Sequence, residues 1–279
     1  AGDPQDIFVP EEFTEEQKLI KEMVMDFCVK EIQEPMLKRG RELNATNDED
    51  RAEVARLLEK SAELGLCGVA ISEKHGGIDL DFNTGLIFAE AGAQGFSFAT
   101  TIGCQTSIGS LPIVYYGNDA QKDKYLPGVA SAKLKASYCL TEPNAGSDAN
   151  SGKTRAILNE AGTHYVLNGQ KMWITNGGFA DLFIVFAKIN DDKKLSALIV
   201  EKEFGGITIG AEEKKMGIKG SSTVQVFFND CPVPVENLLA ERGQGFKIAL
   251  NILNSGRIKL AAGTTGGCKF SINKAVGYA

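Results

Sequence analysis

Apolar positions from Thr14 to about Leu126 recur at helical spacing. Leu19, Ile20, Met23, Val24, Phe27 and Cys28 form one apolar stripe, and Thr14 with Gln17 supplies a capping box ahead of it. Pro35 is expected to end or kink that helix. A second helix is predicted from Asn47, with acidic residues in its first turn, where the helix dipole favours them. Val54, Leu57, Leu58 and Leu64 mark its inner face and Gly65 its stop. Ser72 to Gly77 reads as a loop. Two further helices are predicted over 82–96 and 98–116, the second rich in small residues: Gly103, Ser107, Gly109 and Ser110. Small side chains admit either close packing on another backbone or room for a ligand, and the pattern leaves both open.

The period then switches to strands. From Lys133 to about Val235, Arg155–Leu158 and His164–Leu167 flank the turn signal Asn159-Glu-Ala-Gly. Leu182–Ala187 and Leu195–Val200 flank a second one, Asn190-Asp-Asp-Lys, and Val224–Phe228 is a further strand closed by Pro232 and Pro234. The pattern predicts a mainly antiparallel β region between helical ones, an α+β class. Helical spacing returns after Gly245 at Phe246, Ile248, Ala249, Ile252 and Leu253, and a small-residue run, Ala261 to Gly267, leads into another helical stretch. That stretch reaches Tyr278-Ala279 without a cap or stop signal, so further chain is expected beyond it.

Composition narrows the classes. The 279 residues leave room for one or two domains and a sizeable core. Hydrophobic content of 43% and charged content of 24% suit an ordinary globular protein. No apolar run approaches a membrane span, and Ala1 to Pro10 lacks the basic-then-apolar pattern of a leader. A net charge of -6 argues against nucleic acid or an anionic membrane surface as the main partner. It still allows an anionic ligand held by local loops. Six cysteines (Cys28, Cys67, Cys104, Cys139, Cys231, Cys268) are scattered with no Cys-x-x-Cys pair, so reduced structural thiols are expected rather than zinc sites or disulfides. His75 and His164 are the only histidines, and a histidine-based nucleophile relay or metal centre is not expected.

Two polar-aromatic loops end two of the predicted strands and are the natural place to look for chemistry. Ala145-Gly146-Ser147-Asp148 offers consecutive backbone N–H groups and a hydroxyl, which would make a phosphate cradle; a self-satisfied Asx turn is the plainer alternative. Thr141 precedes it. Trp173-Ile174-Thr175-Asn176 ends the other strand with the only tryptophan in the chain. That indole is either a buried core group or an aromatic face for a flat heteroaromatic cofactor. There is no Gly-x-Gly-x-x-Gly after a strand and no Walker loop, so the site would be neither a Rossmann nor a P-loop one.

These loops also carry a resemblance. Cys139-Leu-Thr-Glu-Pro-Asn-Ala-Gly-Ser-Asp-Ala-Asn-Ser151 resembles the first signature of the acyl-CoA dehydrogenases, and Lys171-Met-Trp-Ile-Thr-Asn is similar to their second flavin loop. The likeness continues through Lys215-Met-Gly-Ile-Lys-Gly-Ser-Ser-Thr, Val233-Pro-Val-Glu-Asn-Leu-Leu and Gly245 to Arg257, in the same order along nearly the whole chain. Asn251-Ile-Leu-Asn-Ser-Gly-Arg257 looks most like the very-long-chain branch and its mitochondrial assembly-factor relative.

The resemblance implies an N-terminal helical domain (1–132), a central, mainly antiparallel β domain (133–243) and the first part of a C-terminal helical bundle (244–279). It implies homodimers or homotetramers, noncovalent FAD, oxidation of an acyl-CoA thioester to the trans-2-enoyl-CoA, and an electron-transfer flavoprotein as acceptor. No metal is implied, and the setting would be the bacterial cytoplasm or the mitochondrial matrix. By matching position, Tyr138, Leu140 and Thr141 would line the flavin ring, Gly146 and Ser147 would hold the pyrophosphate, and Ser147 would also touch the acyl-CoA. Trp173 would cover the ring face away from substrate, with Ile174 beside it, and Thr175 would hydrogen-bond near the reactive nitrogen. Asn254 and Arg257 would lie on the CoA side. An ion pair between Glu142 and Arg257 is expected to tie the first loop to the bundle.

The α-proton of a thioester is removable when the carbonyl oxygen is held by fixed donors and the base is desolvated. The family's base is a glutamate. One branch carries it just before the arginine matching Arg257, where this chain has Gly256. The other branches carry it further along the bundle, so here it is expected beyond Ala279, with no catalytic base within the chain. Two alternatives stay open: a same-fold flavoenzyme that reduces oxygen, such as an acyl-CoA oxidase, and a non-catalytic binding or assembly protein.

Overall fold

A computed structural model describes residues 12–279; the Ala1–Pro10 segment, read above for a leader, lies outside them. Helix α1 (Glu15–Phe27) starts at the predicted capping box: the Thr14 hydroxyl accepts the Gln17 N–H at 3.2 Å and the Gln17 side chain accepts the Thr14 N–H at 3.1 Å. Of the two outcomes the sequence suggested at Pro35, an end or a kink, the structure rules out the end: the helical run continues. A wider π-helical segment, Cys28–Gln33, passes into α2 (Glu34–Arg39), and Pro35 falls in the first turn of α2. The π turn before it, in which the Glu34 N–H bonds the Val29 carbonyl five residues back, lets the run pass a residue that has no N–H to give. The run stops instead at Gly40, with φ of +69°.

Helix α3 (Asp48–Glu63) is capped by Asn47, whose side chain accepts the Asp50 N–H at 2.9 Å. Helix α4 (Phe82–Gly92) follows. The helix predicted over 98–116 resolves into α5 (Ser97–Gly103), a π turn and α6 (Leu111–Tyr116), and α7 (Asp119–Ala130) follows behind an Asn118/Gln121 capping box.

Among the described residues the strands are β1 (Ala136–Cys139), β2 (Arg155–Leu158), β3 (His164–Thr175), β4 (Leu182–Ile189), β5 (Leu195–Glu201), β6 (Ile207–Ile209), β7 (Thr223–Pro234) and β8 (Leu238–Leu239). They form one sheet in the order β6-β7-β3-β2-β4-β5-β8, with β1 beside β4. Both predicted hairpins form, β2–β3 and β4–β5. Two pairings are parallel: β1 runs alongside the first half of β4, and β2 alongside its end. Pro232 does not close β7 but lies within it, opposite Val166. Strand β6 pairs only with Val226–Phe228, so at Pro232 the outer side of β7 is an edge, where a missing N–H is tolerated.

Strand β4 is buried at every position but Lys188 because both of its faces are covered. Leu182, Ile184 and Phe186 pack with Ile113, Tyr125, Val129 and Ile252 on the helical side. Phe183, Val185 and Ala187 pack with Val224, Val226 and Phe228 on the other. Helix α8 (Gly245–Tyr278) lays Ile248, Ala249 and Ile252 on the sheet and then crosses α4. A Cβ on Gly266 would sit 1.9 Å from the Glu90 carbonyl oxygen, which explains the small-residue run. The small residues at 103–110 divide: a Cβ on Gly109 would meet Ala136 at 2.8 Å, whereas one on Gly103 would meet open space.

Five cysteines (Cys28, Cys67, Cys104, Cys139, Cys231) are buried free thiols, and Cys268 is exposed. Burial pushes the first three up to about 12. Among the described residues, no helix is long and apolar enough to cross a membrane.

Candidate functional site

The ends of β1 and β3 come together although the two strands are not neighbours in the ladder. The Ser137 hydroxyl donates to the Thr175 carbonyl at 3.0 Å, and the Met172 N–H donates to the Thr141 carbonyl at 2.9 Å. The two loops singled out in the sequence therefore form one site. Asn176, fully buried with φ of +64°, fixes the far end by donating to the Thr101 carbonyl at 3.1 Å.

Trp173 is not a buried core indole. It is 54% exposed and holds φ of +61°, a conformation that is strained for a bulky side chain. A large aromatic kept in strain and in solvent points to a partner for its face. Thr141 and Thr175 are half-buried, and their hydroxyls make no hydrogen bond among the described residues.

The first loop is pinched at its base, where Glu142 and Ala145 exchange N–H···O bonds of 3.2 and 3.1 Å. Beyond the pinch, Gly146, Ser147 and Asp148 are exposed, and neither their backbone N–H groups nor the Ser147 hydroxyl bonds elsewhere among the described residues. A Cβ on Gly146 would meet nothing within 4 Å, so the packing of the chain does not itself require glycine there. Free donors beside an open glycine suit an approaching phosphate. The self-satisfied Asx turn is thus not what the loop forms at these positions. A flat heteroaromatic ring with a pyrophosphate tail fits the donor set: an aromatic face, three unpaired hydroxyls and a row of free N–H groups.

Other candidates lie further back. Tyr138 and Leu140 are 8% and 7% exposed, and the Tyr138 ring packs on Phe186 with centroids 4.9 Å apart. Burial raises the Tyr138 phenol, which stays neutral. Ile174 is 2% exposed and turned into the sheet core. These three side chains back the site. Asn254 and Arg257 lie on the exposed side of α8 and bond each other, Arg257 Nη1 to Asn254 Oδ1 at 2.9 Å.

The expected Glu142–Arg257 ion pair does not form. Glu142 is buried against Lys171 instead, with Nζ–Oε1 at 2.8 Å. Lys171 is 1% exposed, and its ammonium also donates to the carbonyls of Leu140 (3.1 Å) and Phe186 (2.6 Å). Glu142 accepts the N–H groups of Lys153 (2.6 Å) and Thr154 (3.1 Å) as well. Burial alone would raise Glu142, but the Lys171 charge and these donors outweigh it and hold the carboxyl below its ordinary range. Burial pulls the Lys171 amine below its ordinary value, against the pull of Glu142. Sequence reasoning quoted Lys171 within a motif and missed this role. The available signal was parity, since Lys171 shares the inward phase of Tyr165 and Leu167 along β3.

The histidines lie outside this site. His75 stands between the Ser72 hydroxyl (2.8 Å) and Asp123 (2.9 Å), an order that suggests a nucleophile relay. The nearby N–H groups of Gly76 and Gly77 are bonded to the Glu73 and Ser72 carbonyls. Among the described residues, no group of His, Cys, Asp or Glu is arranged to hold a metal ion.

Helices on one face of a mixed sheet, a long final helix and a cradle built at two strand ends make up a class of fold whose open donors would suit a flat nucleotide-type cofactor without a Rossmann loop. Comparison with known proteins makes this specific. Residues 14–133 match the acyl-CoA dehydrogenase N-terminal domain and residues 137–231 the acyl-CoA dehydrogenase middle domain. A probable acyl-CoA dehydrogenase of Bacillus subtilis is 48% identical over 98% of this chain and 45% of its own length. The mitochondrial very long-chain specific acyl-CoA dehydrogenase of Rattus norvegicus is 44% identical over 90% of this chain and 40% of its own. Among solved structures, an acyl-CoA dehydrogenase complexed with FAD from Bacillus anthracis superposes with a TM-score of 0.92 at 48% identity, covering 99% of this chain and 47% of that one. The chain belongs to the acyl-CoA dehydrogenase family, and it spans less than half the length of these relatives.

Proposed function

We propose that this chain forms the cofactor-binding part of an FAD-dependent acyl-CoA dehydrogenase, which converts an acyl-CoA thioester to the trans-2-enoyl-CoA and passes electrons to an electron-transfer flavoprotein. The observation that carries this reading is the join between the two loops, Met172 N–H to Thr141 carbonyl, which sets the exposed Trp173 ring beside unpaired donors. The FAD-bound relative from Bacillus anthracis supports it. When bound, FAD supplies the acceptor for the hydride leaving the substrate β-carbon.

The chain's own residues hold and shield. Gly146 and Ser147 offer N–H and hydroxyl donors to the pyrophosphate, and Ser147 also contacts the acyl-CoA. Trp173 excludes water from one ring face, and Thr141 and Thr175 donate to the ring edge. Tyr138, Leu140 and Ile174 keep these groups in place from behind. Asn254 and Arg257 meet the CoA side. The α-proton goes to a glutamate beyond Ala279, since Gly256 offers no base. The domain division is 1–132, 133–243 and 244–279, the active form a homodimer or homotetramer, and the setting the bacterial cytoplasm, or the mitochondrial matrix in a eukaryote. Similarity to very long-chain specific relatives favours long acyl chains.

The test is anaerobic titration of the full-length protein with short, medium and long acyl-CoAs, following the visible flavin spectrum. Bleaching is expected, strongest with long chains. Failure of every straight-chain acyl-CoA to bleach the flavin overturns the reading.

A further inference from the structure

A lysine has three ammonium protons, and Lys171 spends them on acceptors in three places: the Leu140 carbonyl before the first loop, the Glu142 carboxylate at its base and the Phe186 carbonyl on β4. Glu142 in turn receives Lys153 and Thr154, where the chain leaves the loop. Gly152 passes so close that a Cβ there would lie 2.9 Å from Glu142 Oε1. One residue beyond Lys171, the Met172 N–H makes the bond to Thr141, and Trp173 follows. The pair is therefore the common anchor of both sides of the site.

Stability alone is a poor account of such a pair. Desolvating two charges offsets most of their attraction, and well-packed apolar replacements are often neutral or better. What it does supply is register. The outer donors at Gly146 to Asp148 make no bonds of their own among the described residues, so their placement depends on the base of the loop.

We infer that Lys171 and Glu142 are positioning residues for the cofactor cradle: together they fix the 142–154 loop against the 171–175 segment before the cofactor arrives. Preorganisation of this kind removes an ordering cost that would otherwise fall on binding. The inference rests on the flavin reading for the identity of the ligand but not for the behaviour of the loop.

The experiment uses the full-length protein and its Lys171→Met, Glu142→Gln and doubly substituted forms. Three quantities are read: amide hydrogen exchange over 143–152, FAD affinity of the flavin-depleted protein, and thermal midpoint. Gly266→Ala, at the remote α4–α8 contact, serves as a control for lost stability. Lys171→Met is expected to speed exchange in the loop and weaken FAD about tenfold or more, as for a site that must order on binding. Gly266→Ala should keep wild-type FAD affinity at a comparable drop in midpoint. The double variant should recover midpoint relative to Lys171→Met, because no unpaired carboxylate remains buried, while its FAD affinity stays low. If Lys171→Met does not fold, Glu142→Gln must show the same pairing of fast loop exchange with weak FAD. FAD affinity and loop exchange both within twofold of wild type overturn the inference. A wild-type protein that takes no FAD overturns the flavin reading instead, and faster loop exchange in the variants then still supports the anchor.

Discussion

Trp173 shows how much one residue can reveal before any ligand is considered. Its type and its place at a strand end were legible in the sequence; its exposure and its φ of +61° were not, because both depend on the irregular pairing between β3 and β7 after Lys171. As the only tryptophan of these 279 residues it also reports on the site, and its fluorescence, taken as the difference from a Trp173→Phe variant, should fall by more than half when FAD binds. An unchanged emission would place the ring elsewhere. Lys171 was hidden for the opposite reason. A lysine in a polar motif reads as solvent-facing, and only a buried partner makes its inward placement tolerable. Arg257, on the exposed side of α8, should be dispensable for folding: Arg257→Gln is expected to change stability by less than about 0.5 kcal/mol by chemical denaturation. Glu142→Gln, which leaves Lys171 with a weaker partner, should cost about 1–3 kcal/mol.

Among the elements, helices with stripes and caps were the easiest to foresee, since α1 and α3 are specified by residues three or four positions apart. The interruptions were harder. Continuation past Pro35 depends on a π-helical register that no local spacing announces, and the division of 98–116 depends on packing against β1 through Gly109. Hairpins announce themselves in their turns, whereas the parallel pairings of β1 and β2 with β4 join segments far apart in sequence. The Ala261–Gly267 run was visible without its cause. Its cause is the backbone-to-backbone crossing of α4 and α8 at Gly266, so Gly266→Ala should cost about 1–3 kcal/mol and lower the thermal midpoint by several degrees. A midpoint equal to wild type would mean the helices do not cross that closely.

For the whole molecule, the change of period near residues 133 and 244 made the succession of helical, β and helical parts readable, because each part repeats its own spacing many times. Acid stability also belongs at this scale. The Arg41 guanidinium beside Asp50 and the Lys171 charge on Glu142 hold these carboxyls below their ordinary 3.8 and 4.5 in the folded chain. The unfolded chain then binds more protons as pH falls through that range, so the stabilisation is present above it and is lost on acidification. Thermal midpoints should drop between pH 6 and pH 3.5, and Glu142→Gln should flatten part of that drop; an identical pH profile would remove Glu142 from the account. The buried thiols have a different use. With Cys28, Cys67 and Cys104 raised to about 12 and shut away from solvent, an alkylating reagent should find, of these six cysteines, only Cys268 in the native fold. Every further label is then a record of an opening event. Cys28 and Cys67 time the N-terminal helices, Cys231 times the far sheet edge, and Cys139, on the strand leading into Thr141, times the separation of the two loops. The chain thus carries its own set of clocks, spaced along its length and needing no added probe.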